Sequence, residues 1–351
     1  MAQRLKVALL FGGRSGEHEV SVRSAASVAR GLDARYDVLP VYIDRDGTWR
    51  LQTGEPRDTG GEPVFLVPAP ADGGQLRGLA DAAPLAHPDL YFPVLHGTYG
   101  EDGTMQGLLE LAAVPYVGSG VAASAAGMDK ELMKALFAQA GLPQVPYRVR
   151  HAGEDAGGLV RELGLPLFVK PANLGSSVGV TKVKREADLA SALQSAFAFD
   201  RKVVVEAGID AREIELSVLG NDAPEASMPG EIVPDREFYD YDSKYSADSK
   251  TELRIPAPLD DATRAAAQQL AVRAFRAVDA AGYARVDFFL ERGTGRLVLN
   301  EINTIPGFTS ISMFPKLWEA SGVSYEALLD RLVQLGLARH RERSALRTHR
   351  Q

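Results

Sequence analysis

Asp287, Glu301 and Asn303 carry the clearest chemistry in this sequence. The run Arg285-Val-Asp287-Phe-Phe-Leu is followed by Glu-Arg-Gly293-Thr-Gly295, then by Arg-Leu-Val-Leu-Asn300-Glu301-Ile-Asn303. Two apolar runs around a short glycine-bearing turn predict a hairpin. With the turn centred near Thr294, Asp287 sits opposite Glu301, their Cβ atoms roughly 4.5–5.5 Å apart. Glu301 and Asn303 are two residues apart, so on a strand they share a face. Like charges placed opposite one another destabilise a sheet unless a cation lies between them. Two carboxylates and an amide suit magnesium, which completes its shell with phosphate oxygens and water. An isolated acid pair is ordinarily just a solvated hairpin, so context matters. Here Asn303 runs into Thr-Ile-Pro-Gly307-Phe-Thr-Ser310. A Pro-Gly turn directly after such a strand can aim backbone N–H groups at a substrate.

A second constellation is Phe168-Val-Lys170-Pro-Ala-Asn-Leu-Gly175-Ser176-Ser177-Val-Gly179. It places a lysine at a strand end before a loop of small residues, whose N–H groups can approach phosphate oxygens closely. The loop is neither a Walker A motif nor Gly-x-Gly-x-x-Gly. By itself it reads equally well as a hairpin turn. Lys130 and Lys170 can both reach phosphates, although most lysines are surface groups. Glu17, just after the Gly12-Gly13 turn, can accept an ammonium group, or can simply be an acid favoured at a helix start.

The elements that must position these groups alternate in an α/β manner. Residues 7–11 read as a buried strand, 20–32 as a helix and 38–43 as a second strand. Residues 52–88, rich in Gly, Pro and Asp, are expected to hold long loops. A strand over 90–95 ends at His96-Gly97, and a helix follows over 104–112. This half of a doubly wound domain would carry its chemistry at the strand C-terminal ends. Asp129 can cap a helix to residue 140, with Gly141 as its stop. Strands over 167–170, 178–183 and 202–206 follow. A third region holds a strand over 213–219, a polar loop near 240–251, a helix over 261–281 and the hairpin. The basic tail from Arg339 reads as solvated or frayed.

The chain has 351 residues, enough for two or three domains. Its net charge of −7 argues against a general nucleic-acid binder. The absence of cysteine excludes disulfides, thiolate nucleophiles and Cys-ligated zinc. No apolar signal region opens the sequence, and no apolar run approaches the ~18 residues of a membrane span. A soluble, cytoplasmic enzyme with no membrane partner is expected.

Seven motifs in order resemble an ATP-grasp enzyme, and within that superfamily the D-alanine–D-alanine ligases. They are Phe-Gly-Gly-Arg-Ser-Gly-Glu17-His-Glu-Val-Ser21; Leu-His96-Gly-Thr-Tyr-Gly-Glu-Asp-Gly-Thr; Met-Asp-Lys130; Val-Lys170-Pro with Gly-Ser176-Ser-Val-Gly; Tyr-Asp-Tyr-Asp-Ser-Lys244-Tyr245; Arg285-Val-Asp287; and Asn-Glu301-Ile-Asn303-Thr-Ile-Pro-Gly307. The resemblance spans residue 6 to about 337. It implies an α/β ATP-grasp fold: an N-terminal doubly wound parallel-sheet domain (1–120) and two α+β subdomains (121–210 and 211–351) that clasp ATP, with a lid loop over 237–251. It also implies that two D-alanines are joined through a D-alanyl phosphate, for peptidoglycan synthesis. Asp287, Glu301 and Asn303 would hold two magnesium ions, for which manganese can substitute; a monovalent cation is left open. Lys130, Lys170 and Lys244 would offset phosphate charge, and Ser177 would join the ATP-binding set. Glu206 and Ile209 would hold adenine and Glu213 the ribose. Ala207 stands where some relatives carry a lysine, so that side chain's adenine contact is absent. Arg285 and the Gly307 N–H would stabilise the transferred phosphoryl group and the tetrahedral intermediate. Glu17 would take the first ammonium, helped by Ser176 and Tyr245. His96 is placed near the first substrate, and Ser310 and Ser312 near the second carboxylate. A homodimer is the implied assembly.

Three rivals remain. One is a ligase of the same family using D-lactate or D-serine, against which the Lys244-Tyr245 pair stands. Another is a nucleotide-binding regulator without turnover, against which the acids and Arg285 stand. The third is a Rossmann-type oxidoreductase, weakened by the Gly-Gly-x-x-Gly spacing.

Overall fold

Apolar runs punctuated by turn residues build three sheets in this chain. The computed structural model describes residues 4–234, 251–309 and 311–347. Lys244, Tyr245, Ser310 and all of the expected lid loop but Thr251 lie outside the described residues.

Strand β1 (Lys6–Gly12) is buried along its length beyond Lys6. Such a continuous apolar run is what a strand covered on both faces requires. Helix α1 (His18–Leu32) leads to β2 (Asp37–Ile43), which pairs with β1 in parallel. The chain then meanders antiparallel through β3 (Trp49–Leu51), β4 (Glu62–Leu66), β5 (Leu76–Gly78) and β6 (Pro84–Ala86). β7 (Leu90–Pro93) returns to the other side of β1, again in parallel. The stretch expected to hold long loops is therefore mostly sheet. Its strands are three to five residues long and broken by Pro and Gly. They have little pattern of their own and depend on the β2 edge as a template. The first sheet is accordingly mixed, with only β2, β1 and β7 in parallel register.

Helices α2 (Thr104–Leu111), α3 (Val121–Met128) and α4 (Lys130–Gln139) lead to the second sheet. Asp129 caps α4, accepting the N–H groups of Glu131 and Leu132 at 3.0 and 3.2 Å. This sheet is antiparallel: β8 (Tyr147–His151), β9 (Leu167–Pro171), β10 (Thr181–Val183) and β11 (Lys202–Ala207) in the order β10-β9-β11-β8. Between β8 and β9 lies α5 (Leu159–Leu163). The inner face of β9, β10 and β11 packs on α6 (Leu189–Phe197) around Val169, Val183, Leu193 and Val205. β10 starts at Thr181, later than the expected 178, because the preceding residues form the Gly/Ser loop.

The third sheet runs β15-β14-β12-β16-β17, with β13 (Glu225–Ala226) on the flank of β12. Its strands are β12 (Ala211–Gly220), β14 (Gly230–Val233), β15 (Glu252–Arg254), β16 (Gly282–Glu291) and β17 (Leu297–Asn303). Helix α7 (Asp261–Ala277) covers one face through Ala267, Ala271, Ala274 and Phe275. It stops short of the expected residue 281, and Asp279 just beyond it takes a left-handed φ of 58°. Helices α8 (Met313–Ala320) and α9 (Tyr325–Ser344) close the fold. The tail is thus helical to Ser344, not frayed from Arg339. Arg339 lies 4.1 Å over the Tyr116 ring, with a nitrogen 3.7 Å from Glu110.

One apolar core joins the first sheet to the C-terminal helices. Phe11, Val28 and Phe92 meet Tyr283, Phe308, Trp318 and Leu329. Among the described residues no helix is long and apolar enough to cross a membrane.

Candidate active site

The hairpin pairs Asp287 with Glu301 and Arg285 with Asn303. Between Asp287 and Phe288 the register shifts by a bulge that skips Asn300. A bulge re-aims side chains, and here it lies beside the two acids. Asp287 is buried, and Arg285 grips it through Nε and Nη2, each donating at 2.7 Å. Asn303 Nδ2 donates to the same carboxylate at 3.0 Å. Arg285 Nε also lies 3.1 Å from Glu215. Burial works against the guanidinium charge, but Asp287 and Glu215 outweigh it and push its pKa well above the usual value.

Among the described residues there is no cluster of three or more His, Cys, Asp or Glu side chains suited to a metal. The donor set is instead two carboxylates and one amide. These are hard oxygen ligands with two negative charges, too few to saturate a divalent ion. They fit a magnesium-like cation that draws its remaining ligands from phosphate and water.

A cleft of about 670 Å³ opens between the second and third sheets, a size that suits a nucleotide-sized ligand. Lys130, Lys170, Ser176, Ser177, Glu206, Ile209, Glu213, Asp287 and Glu301 all line it. Lys170 leaves the end of β9 and meets buried Glu206 at 2.6 Å. Burial would lower the Lys170 pKa, yet the Glu206 charge raises it overall. Lys130, at the start of α4, donates to Leu174 O at 2.5 Å, and burial lowers its pKa. In the loop, Ser176 and Ser177 hold left-handed φ values of 50° and 60°. Non-glycine residues rarely adopt this region, and where they do it marks sites held in place by their surroundings.

Ser176 Oγ donates to Glu17 Oε1, so the second-sheet loop meets the start of α1 at Glu17. Gly97, at φ +77°, flanks the same carboxylate; a Cβ there would lie 3.0 Å from Glu17 Oε2. His96 is buried beside it, with both ring nitrogens engaged. Nδ1 lies 2.8 Å from Ile305 O and Nε2 lies 3.1 Å from Ser24 Oγ. Burial lowers the His96 pKa, favouring the neutral ring. His96 lines a separate cavity of about 230 Å³ with Ser15 and Tyr99, not the large cleft. Ser312 Oγ accepts the Thr309 N–H at 3.0 Å, and a Cβ on Gly307 would lie 2.9 Å from the same Oγ.

Sequence reasoning passed over three groups here. Glu101 accepts the N–H groups of Gly97 at 2.9 Å and Ile305 at 3.1 Å, tying the His96 loop to the segment before Gly307. Burial, and then the Glu17 charge, push its pKa up to about 8. Its motif was visible, but an acid among Gly and Asp reads as turn chemistry. Glu215 alternates with Glu213 along β12, and acids at that spacing on a core strand were the available signal. Lys134 stands four residues after Lys130, on the same helix face.

A nucleotide-sized cleft with two lysines, a serine loop and paired acids on an antiparallel sheet defines a phosphoryl-handling enzyme of the ATP-grasp class. Residues 6–119 match the family described as D-ala D-ala ligase N-terminus, and residues 136–334 match D-ala D-ala ligase C-terminus. A protein from Heliobacterium modesticaldum named D-alanine–D-alanine ligase is 52% identical, with 98% of each chain covered. The solved D-alanine–D-alanine ligase from Coxiella burnetii superposes with a TM-score of 0.87 at 37% identity, covering 98% of this chain and 97% of that one. The VanG D-Ala:D-Ser ligase from Enterococcus faecalis gives 0.85 at 35% identity, covering 95% and 100%. The chain belongs to the D-alanine–D-alanine ligase family and has its ATP-grasp fold. ATP as substrate and use of a divalent metal come with that membership.

Proposed function

We propose that this chain joins two D-alanine molecules into D-alanyl-D-alanine, with ATP converted to ADP and phosphate, for peptidoglycan precursor synthesis. The observation that carries the reading is the hydrogen bond from Ser176, which lines the lysine-bearing cleft, to Glu17, supported by near-full-length identity of about half to relatives of that name. Glu17 holds the ammonium of the first D-alanine, and Ser176 fixes the carboxylate that does so. The first D-alanine carboxylate oxygen attacks the γ-phosphorus, and ADP leaves. The second D-alanine amine then attacks the acyl carbon, loses a proton, and phosphate departs with the acyl oxygen that had bridged to it. Lys130, Lys170, Ser177 and Lys244 bind phosphates; Glu206 and Ile209 hold adenine, and Glu213 the ribose. Arg285 and the Gly307 N–H stabilise charge on the transferred group and the tetrahedral centre. Asp287, Glu301 and Asn303 hold magnesium, for which manganese can substitute; bound there, it neutralises phosphate charge. His96 acts by holding Ile305 and Ser24 in place around the first substrate. Ser310 and Ser312 bind the second carboxylate, and Tyr245 assists Ser176 and Glu17.

The proposed units are 1–120, 121–210 and 211–351, and a homodimer in the cytoplasm is the proposed setting. The experiment is phosphate release from ATP across a panel of D- and L-amino acids and D-lactate. D-alanine alone is expected to suffice. Release only when D-lactate or D-serine is added would replace the dipeptide reading with ester or mixed-dipeptide synthesis.

A further inference from the structure

Lys134 is fully buried, 1% exposed, and does not line the ATP cleft. Its Nζ lies 2.7 Å from Glu206 Oε1 and 5.1 Å from the centre of the Tyr147 ring. Neither Lys134 Nζ nor Glu206 Oε1 has a hydrogen-bond partner elsewhere among the described residues. The other oxygen of Glu206 holds Lys170 at 2.6 Å. One buried carboxylate, 3% exposed, therefore carries two ammonium groups, one on each oxygen. One comes from α4 and one from the end of β9 at the cleft wall. Charge explains the arrangement: burial alone would raise the Glu206 pKa, and the two lysines hold it down at about 2.

The two lysines differ in what they can do. Lys170 lies at the cleft wall and can swing to a ligand. Lys134 is sealed in and cannot. A carboxylate left buried without a counter-ion is strongly unfavourable. With Lys134 in place, Lys170 can leave Glu206 for a phosphate while Glu206 keeps one cation. Without Lys134, Lys170 is the ion-pair partner left to Glu206 among the described residues, and is pinned to it.

We propose that Lys134 is a positioning residue for the nucleotide: it holds the Glu206 charge so that Lys170 is free to move onto the phosphates of ATP. The inference rests on the reading above, in which Lys170 binds phosphate. A phosphate-dependent readout separates it from a role in packing alone.

The test is calorimetric titration of the full chain with magnesium-ATP and, separately, with adenosine, without amino acid. Lys134→Met is expected to weaken ATP about tenfold more than it weakens adenosine, whose own smaller loss reports the Glu206–adenine contact, as loss of one partner of a buried pair implies. Lys134→Arg keeps the charge and is expected to retain the wild-type ratio of the two affinities. Equal losses for ATP and adenosine in Lys134→Met, or no loss for either, overturn the proposal, as does a changed ratio in Lys134→Arg. If Lys134→Met does not fold, Lys134→Gln, uncharged and of similar reach, carries the same expectation. Lys170→Met is the control for the underlying reading. If it leaves the ATP-to-adenosine ratio unchanged, the phosphate role of Lys170 has failed. If it lowers the ratio and Lys134→Met does not, only the positioning role has failed.

Discussion

At the scale of single residues, the site works by charge neutralisation. Asp287 sits between Arg285 and Asn303, with Glu301 as its register partner. Removing its carboxylate takes away one of the two carboxylates proposed to hold the metal and leaves Arg285 with Glu215. Asp287→Ala is expected to lower the rate of phosphate release by ~10²-fold or more, the scale of losing one preorganised electrostatic contact. Wild-type turnover in that variant would refute the metal assignment. Ser176 acts through Glu17. Ser176→Ala is expected to raise the KM for the first amino acid roughly tenfold with a smaller change in the KM for ATP, the scale of one charge-assisted hydrogen bond. A loss confined to ATP would place the hydroxyl on phosphate instead.

Elements decide which of these residues could be found without coordinates. The hairpin was legible because two long apolar runs with a Gly-Thr-Gly turn leave one register, and the structure has Asp287 opposite Glu301 as expected. The capped start of α4 was legible for the same reason, since Asp129 is a local signal. Strands β3 to β6 were not, because strands of three to five residues broken by Pro and Gly exist only through their neighbours. Glu101 was hidden differently. Its two partners, Gly97 and Ile305, are brought together by packing of the first sheet against the C-terminal helices, over 204 residues from Glu101 to Ile305. This buried carboxyl has its folded pKa raised from 4.5 to about 8. The native state therefore binds the extra proton between those values. Its contribution to stability is fully present below the unfolded pKa and is lost as pH rises towards about 8. Glu101→Gln is expected to flatten the fall in unfolding free energy across that window, measured by urea denaturation at several pH values. An unchanged slope would show that Glu101 is ionised throughout.

Over the whole molecule, the three sheets do not contribute equally to one core. The first sheet and the C-terminal helices share a cluster through Tyr283, Phe308 and Trp318, whereas the second sheet packs around its own. Tyr283→Ala is therefore expected to destabilise both of the former together, by ~3–5 kcal/mol as for other buried aromatic truncations. Hydrogen exchange should report coordinated loss of protection in β1 and α9 with β9 less affected; uniform loss across all three sheets would contradict separate cores. That architecture leaves the cleft bounded by two units with independent interiors, and its purpose in this account is to activate a D-alanine carboxylate with ATP. The most direct measurement uses D-alanine with both carboxyl oxygens replaced by ¹⁸O, with ATP and magnesium, and mass analysis of the released phosphate. The account predicts one ¹⁸O in each phosphate, since the acyl oxygen that attacked the γ-phosphorus leaves with it. Phosphate released without ¹⁸O while D-alanyl-D-alanine accumulates would contradict the acyl-phosphate route.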